Sequence, residues 1–116
     1  MNAYKEKHMI NLTPHDIKVV VNGNTLTFPK TGTVARVSVT TQVIGEEQGI
    51  PVVVTNYGDV ENVPPAGTEK FLVSAMVLAR LGSEYRGWAF APDTGATAIR
   101  NDKGQIEAVT QLVTVE

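Results

Sequence analysis

Cysteine is absent from the 116 residues, so disulfide frameworks, thiol nucleophiles and Cys-based zinc sites are excluded. Histidine is scarce: His8 and His15 are the only two, too few to build a transition-metal site, and no metal or cofactor is expected. Excess positive charge is also lacking. Ten Lys and Arg stand against twelve Asp and Glu, for a net charge of −2, which argues against a general nucleic-acid binder because such proteins neutralise phosphates with a basic face. No apolar run approaches a membrane span, and residues 1–9 have no apolar centre of the signal-peptide kind. The expected setting is therefore the cytoplasm, away from the membrane. The glycine spacings of a P-loop or a dinucleotide fingerprint do not occur.

What is present is an ordinary globular complement, 42% hydrophobic, enough for one domain with a modest core. Met1–His8 is polar and aperiodic and reads as a flexible tail, followed by a single α+β domain over 9–116. The pattern of that domain is mostly antiparallel β-sheet with one short buried helix. Strands are expected at Met9–Leu12, Ile17–Val21, Thr25–Phe28, Thr33–Ile44 and Ile50–Thr55. Asn22-Gly23-Asn24 is a hairpin signal, and Gly45–Gly49 reads as a five-residue loop joining the two long β-branched strands. Tyr57-Gly58-Asp59 and Pro64-Pro65-Ala66-Gly67 bracket a loop or short strand at Val60–Val63. A strand at Thr68–Val73 then runs into a helix at about Ser74–Leu81, with Ser74 as N-cap and Gly82 as the helix-ending residue. Trp88–Ala91, Ala98–Arg100 and Gln105–Val115 complete the strands, the last two joined by a turn at Asn101–Gly104.

Two polar clusters interrupt this pattern. The first is Asn11-Leu12-Thr13-Pro14-His15. Pro14 holds Thr13 out of the helical region, and His15 is of the residue type that acts as general acid or base, or binds phosphate when charged. A turn histidine capping a strand end is the plain alternative. The second is Pro92-Asp93-Thr94-Gly95-Ala96-Thr97-Ala98-Ile99-Arg100, a turn with exposed N–H groups and hydroxyls that ends on a guanidinium suited to phosphate or carboxylate. Its plain alternative is a turn capped by Asp93 and Thr94. Asp-Thr-Gly also occurs around the aspartic-protease nucleophile, but the later apolar-apolar-Gly-Arg segment of that family is missing here. Arg36 shares a strand face with Ser38 and Thr40, either solvated or forming a pocket floor. Tyr57, Tyr85, Trp88 and Phe90 are candidate stacking rings, although alternation places Trp88 and Phe90 together in a core.

These motifs, with Thr33-Val34-Ala35-Arg36-Val37, Gly49-Ile50-Pro51-Val52, Val73-Ser74-Ala75 and Ala98-Ile99-Arg100, resemble a family of small, mostly uncharacterised phage, prophage and bacterial proteins. The resemblance covers about Ile10 to Val113. By analogy with phage anti-defence proteins it implies a non-catalytic sponge for a nucleotide immune signal, acting in the cytoplasm of a bacterial host. The ligand-binding set expected is Asn11, Thr13, His15, Arg36, Asp93, Thr94, Thr97 and Arg100 around a small anionic, nucleotide-like molecule. Two alternatives stand beside it. One is an enzyme on a phosphorylated or ribosyl substrate with His15 as general acid or base. The other is a phage structural or interaction protein. Long Val/Thr strands with little edge protection also lead us to expect a homo-oligomer.

Overall fold

The computed structural model describes residues 9–116; the expected tail at 1–8 lies outside the described residues. The chain is mostly strand, with antiparallel hairpins and one short helix. Its centre is a four-stranded sheet of mixed direction, in the order β1 (Ile10–Asn11), β6 (Phe71–Leu72), β7 (Ala89–Pro92), β10 (Leu112–Thr114). The first three strands run parallel and β10 returns antiparallel to β7. Phe71, Leu72 and Val73 are fully buried, as expected of an uninterrupted apolar run in a strand covered on both faces. The ladder continues past the strand ends, with Leu12 N–H donating to Leu72 O at 2.8 Å and Val73 N–H to Phe90 O at 2.8 Å. Ala89 and Ala91 are buried while Phe90 and Trp88 are only half-buried. The core face of β7 is therefore the alanine face, the reverse of the parity expected, because small side chains let the helix approach the sheet.

That helix, α1 (Ala75–Leu78), is one turn long. Ser74 Oγ accepts from Val77 N–H at 3.3 Å as the expected N-cap, and Val77 and Leu78 are buried. Met76 is exposed, so only one face is covered. The helix also stops earlier than expected. The N–H groups of Arg80 and Leu81 donate three residues back, to Val77 O and Leu78 O, which tightens the end into a 3₁₀ turn. Gly82 is not a left-handed cap, its φ being −77°; it opens a 3₁₀ turn at Ser83–Tyr85.

Three hairpins decorate this sheet. β2 (Ile17–Val21) and β3 (Asn24–Phe28) close through Asn22-Gly23, both at positive φ, the geometry that suits two-residue hairpins. β8 (Ile99–Arg100) and β9 (Ile106–Ala108) form a small hairpin. Beyond β9, Val109 bridges to Val19 of β2, so the expected single strand over Gln105–Val115 is divided. Its first half pairs with β8 and, at Val109, touches β2; its second half joins β7, and Thr110-Gln111 changes direction between them.

The third hairpin departs furthest from expectation. β4 (Arg36–Glu47) and β5 (Ile50–Glu61) are each 12 residues long. Gln48-Gly49 alone makes the turn, at φ +54° and +82°, so Gly45, Glu46 and Glu47 belong to a strand instead of a loop. Gly45 pairs with Val52 just beyond a bulge whose extra residue is Ile44. Tyr57-Gly58-Asp59 likewise lies inside β5, where a second bulge sets Gly58 and Asp59 against Ser38. A Cβ on Gly58 would run into Ser38 Oγ, so the bulge depends on glycine. At the base of this arm Val37 and Val60 pack on the core formed by Leu12, Ala35, Phe71, Val73, Val77 and Ala89.

Candidate functional site

The Asn-x-Thr-Pro-His segment folds into a knot of short hydrogen bonds. Asn11 is 1% exposed. Its Nδ2 donates to His15 O at 2.8 Å and to Phe28 O at 2.7 Å. Its Oδ1 accepts from Thr13 N–H at 2.9 Å and Thr13 Oγ1 at 2.7 Å. Thr13 Oγ1 also lies 2.9 Å from His15 O. One buried amide thus ties β1, the turn and the end of β3 together, and the side-chain polar atoms of Asn11 and Thr13 are engaged by the protein. Pro14 and His15 are left on the exposed rim of the turn.

The Asp93 loop is organised in the same way. Asp93 Oδ1 accepts from Gly95 N–H at 3.0 Å, and Oδ2 from Gln111 Nε2 at 2.7 Å. The Gln111 amide, with Gly95 N–H second, holds the Asp93 carboxyl below the usual carboxylate value of 3.8. Arg100 crosses the loop: Nη1 donates to Gly104 O at 2.8 Å and Nη2 to Thr94 O at 3.0 Å. The guanidinium expected to receive an anion therefore clamps the Asp93 loop to the β8–β9 turn. Thr97 contributes its carbonyl, which accepts from Thr110 Oγ1 at 3.2 Å.

The two motifs meet at one place. A cleft of about 220 Å³ is lined by His15, Asp16 and Lys18 on one wall, Pro92 and Thr94 on another, and Ile106 and Glu107 on the third. Pro92 and Thr94 form a ridge, because they also line a larger, mainly apolar groove of about 510 Å³ bounded by Leu78 of α1 and Val113 of β10. Asp93 faces that groove. Arg36, Thr97 and Arg100 line neither cavity, and Asn11 and Thr13 lie behind the turn. Two residues of the expected set, His15 and Thr94, thus share the cleft.

Lys18 and Glu107 belong to the cleft without having been singled out in the sequence. Lys18 is the outward residue of β2 next to buried Val19, a placement that alternation shows. What alternation does not show is that β9 docks beside β2, with Val109 N–H donating to Lys18 O at 2.9 Å. The aromatic rings go elsewhere. Tyr85 packs edge-on to Phe71 at 5.9 Å and its hydroxyl donates to Pro64 O at 3.1 Å. Lys70 Nζ sits 5.9 Å from the Trp88 ring, and the Arg80 guanidinium covers Tyr57 at 3.8 Å. Among the described residues no three His, Asp or Glu side chains are placed to hold a metal ion, and no helix is long and apolar enough to cross a membrane.

Comparison with known proteins returns no match: no family model, no curated protein sequence and no solved structure matches this chain.

Proposed function

We propose that this chain is a binding protein for a small anionic, nucleotide-like molecule, which it holds without turnover in the manner of a phage-encoded sponge. The observation that carries the reading is the convergence of the His15 turn and the Thr94 ridge on one cleft. An ammonium at Lys18 and an imidazole at His15 suit a phosphate. The Thr94 hydroxyl and the Glu107 carboxylate suit sugar hydroxyls. The adjoining apolar groove, across the Pro92-Thr94 ridge, suits a base or another flat apolar group. In this arrangement Arg100 and Asp93 act as positioning residues, since their hydrogen bonds shape the ridge.

The cleft is smaller than the ~300–1,000 Å³ of common ligand pockets, so it takes the charged end of the ligand and leaves the remainder to the groove. Incubation with a panel of mono-, di- and cyclic nucleotides, followed by heat release, tests the reading. An unchanged nucleotide is expected back, and Lys18→Ala is expected to weaken binding about tenfold or more by calorimetric titration. Recovery of an altered nucleotide would favour an enzyme using His15. No binding to any of the panel, or full affinity in a folded Lys18→Ala protein, would overturn the reading.

A further inference from the structure

The β4–β5 arm is the feature that ligand binding does not use. Pairs that face each other across an antiparallel ribbon share a face, so the register of Val39 with Tyr57, Thr41 with Thr55 and Val43 with Val53 defines one continuous stripe. That stripe begins in the core at Val37 and Val60 and runs outward with no charged residue between Val37 and Gly45 or between Ile50 and Gly58. Beyond the base it is open to water: Val43 is 64% exposed and Val53 47%. At the tip Ile44, in the bulge after Val43, is 61% exposed. A two-stranded ribbon is marginal in water without a third strand or a packed face, and an uncharged, mainly apolar face of this length, broken only by the Thr41–Thr55 pair, is an association surface.

We infer that this face of the arm packs against the same face of a second copy of the chain, the two arms antiparallel about a two-fold axis. Charge selects both occupant and direction. The tip carries Glu46 and Glu47, and Glu46, opposite Pro51, lies on the striped face. The base of the same face carries Arg80, its guanidinium 3.8 Å over Tyr57. Antiparallel arms set each Glu46 beside the partner's base and its arginine. Parallel arms would set the two Glu46 carboxylates together at one end.

Area supports a reciprocal pair. Strands of 12 residues at ~3.3 Å per residue give an arm of about 40 Å, and a ribbon about 10 Å wide then offers about 400 Å² per copy. Two such faces bury about 800 Å² together, and the Glu46–Arg80 contacts at the two ends add to this, toward the ~1,200 Å² of a stable pair.

Sedimentation velocity on the full chain at micromolar concentration tests this. The wild type is expected at twice 12.5 kDa or a multiple of it. Val43→Lys places an ammonium in the middle of the stripe and is expected to return the monomer, with circular dichroism unchanged because Val43 is already exposed. Should Val43→Lys not fold, Glu46→Arg beside the two-residue turn is expected to weaken association about tenfold, and adding Arg80→Glu to restore it. A wild type at 12.5 kDa, or folded Val43→Lys that stays associated, would overturn the pairing. Unchanged association in Glu46→Arg would overturn its antiparallel direction.

Discussion

Replacing Asn11 with alanine is the sharpest probe of the turn on which the cleft depends. The change removes two donated and two accepted hydrogen bonds, all at 2.7–2.9 Å. The losses are not equal. His15 O keeps a donor, because Thr13 Oγ1 already lies 2.9 Å from it. The buried Thr13 N–H loses its Asn11 acceptor, while the part-buried Phe28 O, opposite Ile17 in the β2–β3 ladder, loses only its side-chain donor. Stranding the buried N–H costs about 1–3 kcal/mol and losing the bond to Phe28 O about 0.5–1.5 kcal/mol, so the expected destabilisation is about 1.5–4.5 kcal/mol. That is a large part of the ~5–15 kcal/mol that holds a typical domain together. Urea denaturation reads it directly. With a slope of about 1–3 kcal/mol per molar urea for a small protein, the midpoint should fall by roughly 0.5–4.5 M. Thr13→Val is the internal control. It keeps the Asn11 amide in place to receive Thr13 N–H and should cost no more than about 1–1.5 kcal/mol. If Asn11→Ala shifts the midpoint no more than Thr13→Val does, Asn11 does not tie β1 to β3, and its role lies with a ligand instead.

Three further outcomes follow from the geometry. Phe71→Ala, which empties a fully buried central-strand site and removes the Tyr85 contact, should destabilise by about 3–5 kcal/mol in the same assay; a loss under about 1 kcal/mol would show that the core lies elsewhere. Gln111→Ala removes the principal group that lowers the Asp93 carboxyl, so its titration midpoint, followed by carboxyl carbon NMR, should rise toward 3.8. Because the folded value is depressed, the stabilisation Asp93 provides is present above 3.8 and is lost as pH falls through the lower folded value; an unmoved midpoint in Gln111→Ala would refute the assignment. Arg100→Ala should leave global stability within about 1.5 kcal/mol, since its two hydrogen bonds are exposed. It should nevertheless raise amide exchange at Gly95 and Gly104, whose N–H groups are held by Asp93 Oδ1 and Asn101 O, and unchanged exchange would mean that the loop holds its shape without the clamp.

Local chemistry made much of the fold legible. Asn22-Gly23 closes a hairpin because both residues tolerate positive φ, and Ser74 caps α1 because its hydroxyl reaches the Val77 N–H. Two misreadings share one cause. Gly45 and Gly58 resemble turn residues in sequence, yet each sits at a strand bulge, and only the partner strand distinguishes a bulge from a turn. The helix end was misread because Gly82 is a natural stop signal, whereas the bonds from Arg80 and Leu81 had already closed the helix.

The candidate site divides in the same way. The sequence by itself determined that two polar turns interrupt a β-rich chain, that His15 and Thr94 stand on them, and that the long Val/Thr segments pair as a hairpin. These follow from backbone preferences and side-chain alternation, which are local. Which polar atoms remain free for a ligand was decided by tertiary structure alone. Arg100 lies six residues from Thr94, Gln111 eighteen from Asp93, and Phe28 seventeen from Asn11. Strand docking at Val19 and Val109 brings Lys18 and Glu107 to the same cleft across a still longer separation. A hydrogen bond needs its partner within about 3.2 Å, and no periodicity in one segment encodes where a distant segment will arrive.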